Sequence, residues 1–255
     1  MDAIKYVKAS KYTDLNLVYS QCSGPGGLKV VEFIADKMKI KSGKKLLDIG
    51  FNRGYQTCFL AKEYDLFLTI GIDPWNDRKD KRPHIEYLME NAKEFKVEDR
   101  ILGIKVGVPE TLLPNNYFDY VYSTTTFEMI RGIQGIEMYL ECLKEVHRLL
   151  KPGGIFGLGE PMHLDKEIPN DIKPFITEGK MSFEKCFATI DETRNAVELA
   201  GFKIIEANYA EDATKWWEEY AKYDPFCNSI SYEEKKTIEA DKGRWLSFGY
   251  VIAEK

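Results

Sequence analysis

The sequence predicts an α/β protein whose core is a doubly wound sheet. Two observations carry this reading: apolar runs of four to seven residues alternate with stretches of helical periodicity, and the first run ends in a glycine-bearing turn. Near-continuous apolar strands are buried on both faces, which places helices on both sides of a mainly parallel sheet. Right-handed crossovers then make that sheet doubly wound.

Residues 45–50 are the first strand, stopped by Gly50, and residues 56–64 follow with helical spacing at Cys58, Phe59 and Ala61. Residues 66–72 are a second buried strand and 85–95 a second helix; 101–106 and 118–122 are the third and fourth strands. Ile136, Leu140, Leu143, Val146 and Leu150 form one helical stripe over 136–150. Lys151-Pro152-Gly153-Gly154 stops it, and 155–159 is the fifth strand. Residues 191–200 read as a helix ended by Gly201, followed by a sixth strand at 202–207 and a seventh, alternating strand at 245–253.

Two insertions of about thirty residues, 161–190 and 211–244, interrupt this rhythm, and loops that long inside one domain are usually functional caps. Residues 1–44 add a third segment, with a helix near 27–39 behind the turn Ser23-Gly24-Pro25-Gly26-Gly27. The expected organisation is therefore a single domain over 1–255: a lid segment at 1–44, a core at 45–160, the two caps, and a last strand at 245–255. No internal repeat or low-complexity tract breaks it.

Composition narrows the class. With 44% hydrophobic and 30% charged residues the chain can bury a full core. A net charge of −5 without a Lys/Arg cluster speaks against nucleic acid. The apolar runs fall far short of the ~18 residues of a membrane span, and the N-terminus lacks a signal-peptide core. Five scattered cysteines, Cys22, Cys58, Cys142, Cys186 and Cys227, read as reduced thiols in a cytoplasmic protein.

The sharpest local signal is Leu46-Leu47-Asp48-Ile49-Gly50-Phe51-Asn52-Arg53-Gly54. A glycine turn after the first strand lets a ligand approach the backbone, and the next helix offers free N–H groups to its anionic atoms. Asp73 ends the second strand, where a carboxylate can accept two ribose hydroxyls. Ligands in such sheets bind beyond the carboxyl ends of the strands, so Gly50, Asp73 and Glu160 are expected to converge.

On these residues the chain resembles the class I S-adenosylmethionine-dependent methyltransferases, in the small-molecule branch near the ubiquinone/menaquinone, sarcosine-dimethylglycine and phosphoethanolamine enzymes. Leu46 to Gly54 resembles their first motif, Gly71-Ile72-Asp73 the second, and Tyr117-Phe118-Asp119-Tyr120-Val121-Tyr122-Ser123 the fourth. The stretch from Glu145 to Gly154, ending Leu150-Lys151-Pro152-Gly153-Gly154, resembles a late and highly specific signature. The resemblance implies a Rossmann-like seven-stranded sheet with an antiparallel last strand. It also implies S-adenosylmethionine as cofactor, a small-molecule methyl acceptor, and a monomer or homodimer.

Residue by residue, the resemblance implies that Asp48 fixes the first loop and the amino end of the methionine part, while Gly50 admits the ligand beside the backbone. Asn52 and Gly54 complete the turn, Asn52 standing where many relatives carry Gly. Asp73 would hold the ribose, and Pro74 or Trp75 would cover the adenine. Gly107-Val108-Pro109 replaces the usual Gly-Asp-Ala, leaving a backbone carbonyl at Gly107 or Val108 to meet the adenine amino group. Ser123 and Thr124 would line the methionine side of the sulfonium. Tyr12 and Tyr19 are candidates for a lid over the cofactor.

The sulfonium already makes the methyl group electrophilic, so catalysis asks mainly for positioning, desolvation and, where needed, proton removal. Candidate bases are placed on loops beyond the sheet: Glu128 after the fourth strand, and Glu160 and His163 after the fifth. Histidine as a residue type suits proton transfer, which makes His163 a candidate base, while an exposed loop histidine is the plainer reading; His84 and His147 read as structural or solvated. Trp216, Trp217 and Tyr220 would either cage an amine acceptor or pack the cap onto the core. The run Glu160, His163, Asp165, Glu167 reads as a solvated loop, and no metal is expected. The alternative to an enzyme is a non-catalytic cofactor-binding module or sensor on the same scaffold.

Overall fold

The parallel half of the sheet follows the apolar runs in order. A computed structural model describes residues 5–177, 182–225, 227 and 234–255. Before the sheet come helices α1 (Leu15–Gln21) and α2 (Gly27–Lys37). Then β1 (Lys45–Ile49), α3 (Tyr55–Glu63), β2 (Leu68–Ile72), α4 (His84–Phe95) and β3 (Ile101–Ile104) build the first βαβαβ half. The chain continues through β4 (Phe118–Thr124), α5 (Phe127–Leu149) and β5 (Leu150–His163). Beyond them lie α6 (Lys173–Thr177), α7 (Phe183–Cys186), α8 (Ile190–Leu199), β6 (Lys203–Tyr209), α9 (Ala213–Tyr223), α10 (Glu234–Asp241) and β7 (Leu246–Glu254).

Strand order is β3-β2-β1-β4-β5-β7-β6. Pairs from β3 to β5 are parallel, and β7 inserts antiparallel between β5 and β6. This is the expected Rossmann-like sheet with an antiparallel last strand. The order reverses at β1, which separates β2 on one side from β4 on the other. That switch point opens a crevice beyond the strands' carboxyl ends.

The inner strands β1, β2, β4, β5 and β7 bury both faces, while the edge strands β3 and β6 leave residues exposed. Leu46, Tyr120, Tyr122 and Ile252 pack against α2, α3 and α4; Leu47, Val121, Phe156 and Val251 pack against α5 and α8. A third cluster, with Ile172, Cys186, Trp217, Tyr220 and Trp245, joins α6, α7, α9 and α10 into a cap. Trp216 and Trp217 are almost fully buried, and the Trp217 indole N–H donates to Ser247 O at 2.9 Å. The aromatic stripe of α9 therefore packs on the core, and its two tryptophans form no amine cage. Phe226, an aromatic residue of the same insertion, lies outside the described residues.

Two boundaries differ from the sequence reading in a way that moves candidate site residues. Strand β5 continues past Gly159 to His163 because β7 supplies a partner there, pairing Glu160 with Gly249 and His163 with Leu246. The parallel partner β4 stops at the Thr124–Gly159 pair, so Pro161 sits where a ladder donor on that side is not needed. Helix α5 starts at Phe127, nine residues before the recognised stripe, and breaks at Gly135 (φ +85°, ψ 175°). That break hides its first half from a periodicity count. Among the described residues, no helix is long and apolar enough to cross a membrane.

Candidate functional site

The turn after β1 is built around a position that only glycine fits. Gly50 has φ +82°, and a Cβ there would lie 2.0 Å from Thr126 Oγ1. Thr126 cannot easily move: its hydroxyl proton is shared between Thr124 O at 3.1 Å and Ile49 O at 3.3 Å. Asn52 follows at φ +50°, a left-handed conformation Asn tolerates, and Gly54 at φ +74° opens helix α3. The Gly50 amide donates to Ile72 O at 2.8 Å, tying this turn to the end of β2.

Asp73 completes the pair. Its Oδ2 accepts from the Asn52 amide at 2.9 Å and its Oδ1 from the Trp75 amide at 2.8 Å. One buried carboxylate thus joins the first and second turns, and it lies at the switch point. Gly50, Asn52 and Asp73 are brought together as expected. Glu160 belongs to a separate cluster, described below.

Asp48 sits beneath the turn, where burial pushes its carboxyl up to about 7 and the Thr57 hydroxyl, donating to Oδ2 at 2.6 Å, pulls it partly back. A raised folded pKa means stability that is present at acid pH and lost as pH rises towards 7. Thr57→Val removes the donor that favours the charged form, so this loss deepens. A decrease of about 1–2 kcal/mol is expected at pH 8, and less at pH 5. Urea unfolding at the two pH values checks this.

At the end of β4, the Ser123 hydroxyl donates to Ile49 O at 2.8 Å. Thr124 Oγ1 lies 3.1 Å from both Tyr122 Oη and Gln56 Oε1, and Gln56 Nε2 donates to Gly27 O at 3.0 Å. The N-terminal segment is latched to both turns through its carbonyls. Arg53 Nη1 donates to Ser20 O and Thr125 Oγ1 to Ser23 O. Arg53 also pairs with Asp77 at 2.7 Å. Residues 20–27 therefore cross the mouth of the crevice. Tyr19 is buried there, its hydroxyl donating to Glu219 Oε2 at 3.2 Å. Tyr12 is elsewhere, stacked on Phe95 and edge-on to Phe59.

On the other flank Trp75 is 66% exposed although it follows a buried carboxylate. Pro74 is exposed beside it, and a Cβ on Gly107 would stand 3.2 Å from Pro74 Cγ. Val108 is half-buried against the second core. These four residues border the Asp73 end of the crevice.

The acidic candidates are not on loops. Glu128 lies in the first turn of α5 and Glu160 inside β5, both almost fully buried. Tyr139 Oη donates to Glu160 Oε2 at 3.3 Å, and the Arg131 guanidinium covers the Tyr139 ring at 4.7 Å. Among the described residues, Glu128 Oε2 and Glu160 Oε1 have no hydrogen-bond partner. Desolvation raises both carboxyls; Glu128 is raised further by the neighbouring Glu160 charge, while Arg131 holds Glu160 back. Such a pair holds protons near neutral pH and can exchange them with a ligand.

His163 ends β5 with its ring stacked on Trp245 at 4.6 Å and Nδ1 2.9 Å from Leu164 O. This half-buried packing is neither a free loop base nor part of the Glu128–Glu160 pair. Three contributors escaped the sequence reading: Arg53, Tyr139 and His84, whose Nδ1 lies 3.1 Å from Asp73 Oδ1. Arg53 lies inside the recognised turn and was open to notice. Tyr139 and His84 belong to helices, and no motif links them to their carboxylates. A cleft of about 360 Å³ between Pro109–Leu113 and Arg148 lies by the start of β4, at the opposite end of the sheet from the crevice.

Residues 47–158 match the model of a methyltransferase domain family. The chain is 27% identical over 181 residues to a sterol 24-C-methyltransferase of Gibberella zeae, spanning 68% of this chain and 43% of that protein. It is 26% identical over 162 residues to phosphoethanolamine N-methyltransferase 1 of Arabidopsis thaliana, spanning 60% of this chain and 28% of that one. The chain thus spans less than half the length of these two curated relatives. Its fold is shared with the cyclase SpnF at TM-score 0.74 and 14% identity, covering 98% of this chain and 94% of the other.

Proposed function

We propose that this chain, which carries a methyltransferase domain over residues 47–158, transfers a methyl group from S-adenosylmethionine to a small-molecule acceptor. The observation that carries this reading is the Gly50–Asp73 cradle. It combines a left-handed glycine turn, packed against Thr126, with a carboxylate fixed by two amides at the switch point. A carboxylate held there can accept from a diol.

In this reading Asp48, Gly50, Asn52 and Gly54 form the floor beneath the methionine part, and Asp73 accepts the ribose hydroxyls. Pro74 and the exposed Trp75 ring cover the adenine, with Gly107 and Val108 along its edge. Ser123 and Thr124 line the methyl-bearing side, and the latched segment with Tyr19 excludes water. The bound cofactor supplies an electrophilic methyl group. Within the Glu128–Glu160 pair, Glu160, pushed up to about 7, takes up the proton that the acceptor loses while Glu128 stays protonated, with His163 a more distant candidate. An amine fits the pair best, because it presents N–H donors to the two unpartnered oxygens.

We place this activity in the cytoplasm, on a monomer or homodimer, without nucleic acid. The net charge of −5 and five buried free thiols support that placement. The second reading is a cofactor-binding module without transfer, since a fold does not by itself fix an activity. Incubation with labelled S-adenosylmethionine and panels of amines, phenols and thiols separates the two. Acceptor-dependent label transfer is expected, most strongly to amines. Binding without transfer to any acceptor would favour the module.

A further inference from the structure

The hydrogen-bond accounting around Asp73 leaves one buried polar group without a role. His84 is 9% exposed and begins α4, eleven residues after Asp73. The loop between them is closed on itself: Asp77 N donates to Arg82 O at 2.8 Å, Asn76 bridges Pro83, and His84 N reaches Trp75 O at 3.4 Å. This closure delivers the imidazole to the carboxylate. Nδ1 stops 3.1 Å from Asp73 Oδ1 without the alignment of a hydrogen bond, and among the described residues it has no hydrogen-bond partner.

A buried ring nitrogen left unpaired is costly, so its placement needs a compensating interaction. The Asn52 and Trp75 amides hold one donor against each oxygen of Asp73. His84 flanks the remaining side of Oδ1 and limits rotation of the carboxylate away from the crevice. Contacts of this kind are often long or off-line in the free protein and tighten around the bound ligand. We propose that His84 is a positioning residue for cofactor binding, holding the Asp73 carboxylate in the orientation that accepts the ribose diol of S-adenosylmethionine. This rests on the cofactor reading above and assigns the histidine a part in it.

The test is calorimetric binding of S-adenosylhomocysteine to the full chain, which needs no turnover. His84→Leu is expected to weaken binding five- to tenfold. His84→Asn, whose side-chain amide can take the place of Nδ1, is expected to stay within twofold of wild type. In an Asp73→Asn background the further change to His84→Leu is expected to add less than twofold, because the group it acts through has already changed. Equal penalties in both backgrounds, or His84→Asn as weak as His84→Leu, would mean a merely structural residue and overturn the proposal. If His84→Leu does not fold, His84→Gln replaces it, since its longer amide reaches the Nε2 position instead; binding equal to His84→Asn would again overturn it. Wild-type protein that binds no S-adenosylhomocysteine would remove the cofactor reading itself, a result distinct from each of these.

Discussion

Gly50→Ala is expected to destabilise the protein by about 3 kcal/mol and to abolish detectable cofactor binding. Two costs add. An L-residue held at φ +82° pays about 1–2 kcal/mol in the left-handed region. The new methyl group would also stand 2.0 Å from Thr126 Oγ1, so Thr126 or the turn must shift. Either shift breaks the hydrogen bond that the Thr126 hydroxyl shares between Ile49 O and Thr124 O, worth about 1 kcal/mol. Urea denaturation measures the loss. Added to Thr126→Gly, which removes the clashing side chain, Gly50→Ala should cost only the backbone strain of about 1–2 kcal/mol. The same penalty in the Thr126→Gly background as in the wild type would mean that the steric account of this turn is wrong.

The second large effect concerns the acids. Glu160→Gln is expected to lower turnover about 100-fold, the lower range for loss of a positioned base. The same change should make the protein about 2 kcal/mol more stable at pH 8. The sign follows from the direction of the shifts. Burial raises both Glu128 and Glu160 above ordinary carboxylates, so the folded chain keeps protons that the unfolded chain has released. Stability from this source is complete below about pH 4 and is lost as pH rises through the elevated folded values. A glutamine has no proton to lose, so the variant's stability should be flatter from pH 5 to pH 8. Glu128→Gln should behave alike, and the double variant should give less than the sum because each acid raises the other. Denaturant midpoints across pH, with rates on an accepted substrate, check both halves. A variant that loses neither stability slope nor rate would remove the pair from the mechanism.

The parallel half of the fold was legible because each strand is a short apolar run closed by glycine or a polar turn. The Gly50 turn and Asp73 were legible for a related reason: backbone geometry restricts the residue type, and the restriction survives in sequence. The acids were recognised as residues but misplaced as surroundings. Glu160 lies in a strand extended by an antiparallel partner ninety residues later, which no local pattern announces. Glu128 lies in a half-helix that Gly135 severs from its recognisable stripe. Trp216 and Trp217 show the converse, since an aromatic stripe looks the same whether it cages a cation or fills a core. His84 was least accessible, because only the closure of the loop over 73–84 brings it to Asp73.

Cofactor binding by this chain depends most on the Asp73 end of the crevice. The measurement that tests it most directly is calorimetric titration of the protein with S-adenosylmethionine and S-adenosylhomocysteine, alongside Asp73→Ala. Binding of both ligands, weakened tenfold or more by Asp73→Ala, is the predicted result; tenfold corresponds to about 1.4 kcal/mol, in the range of a hydrogen bond to a charged group. Binding of neither ligand, or binding that Asp73→Ala leaves unchanged, would contradict it.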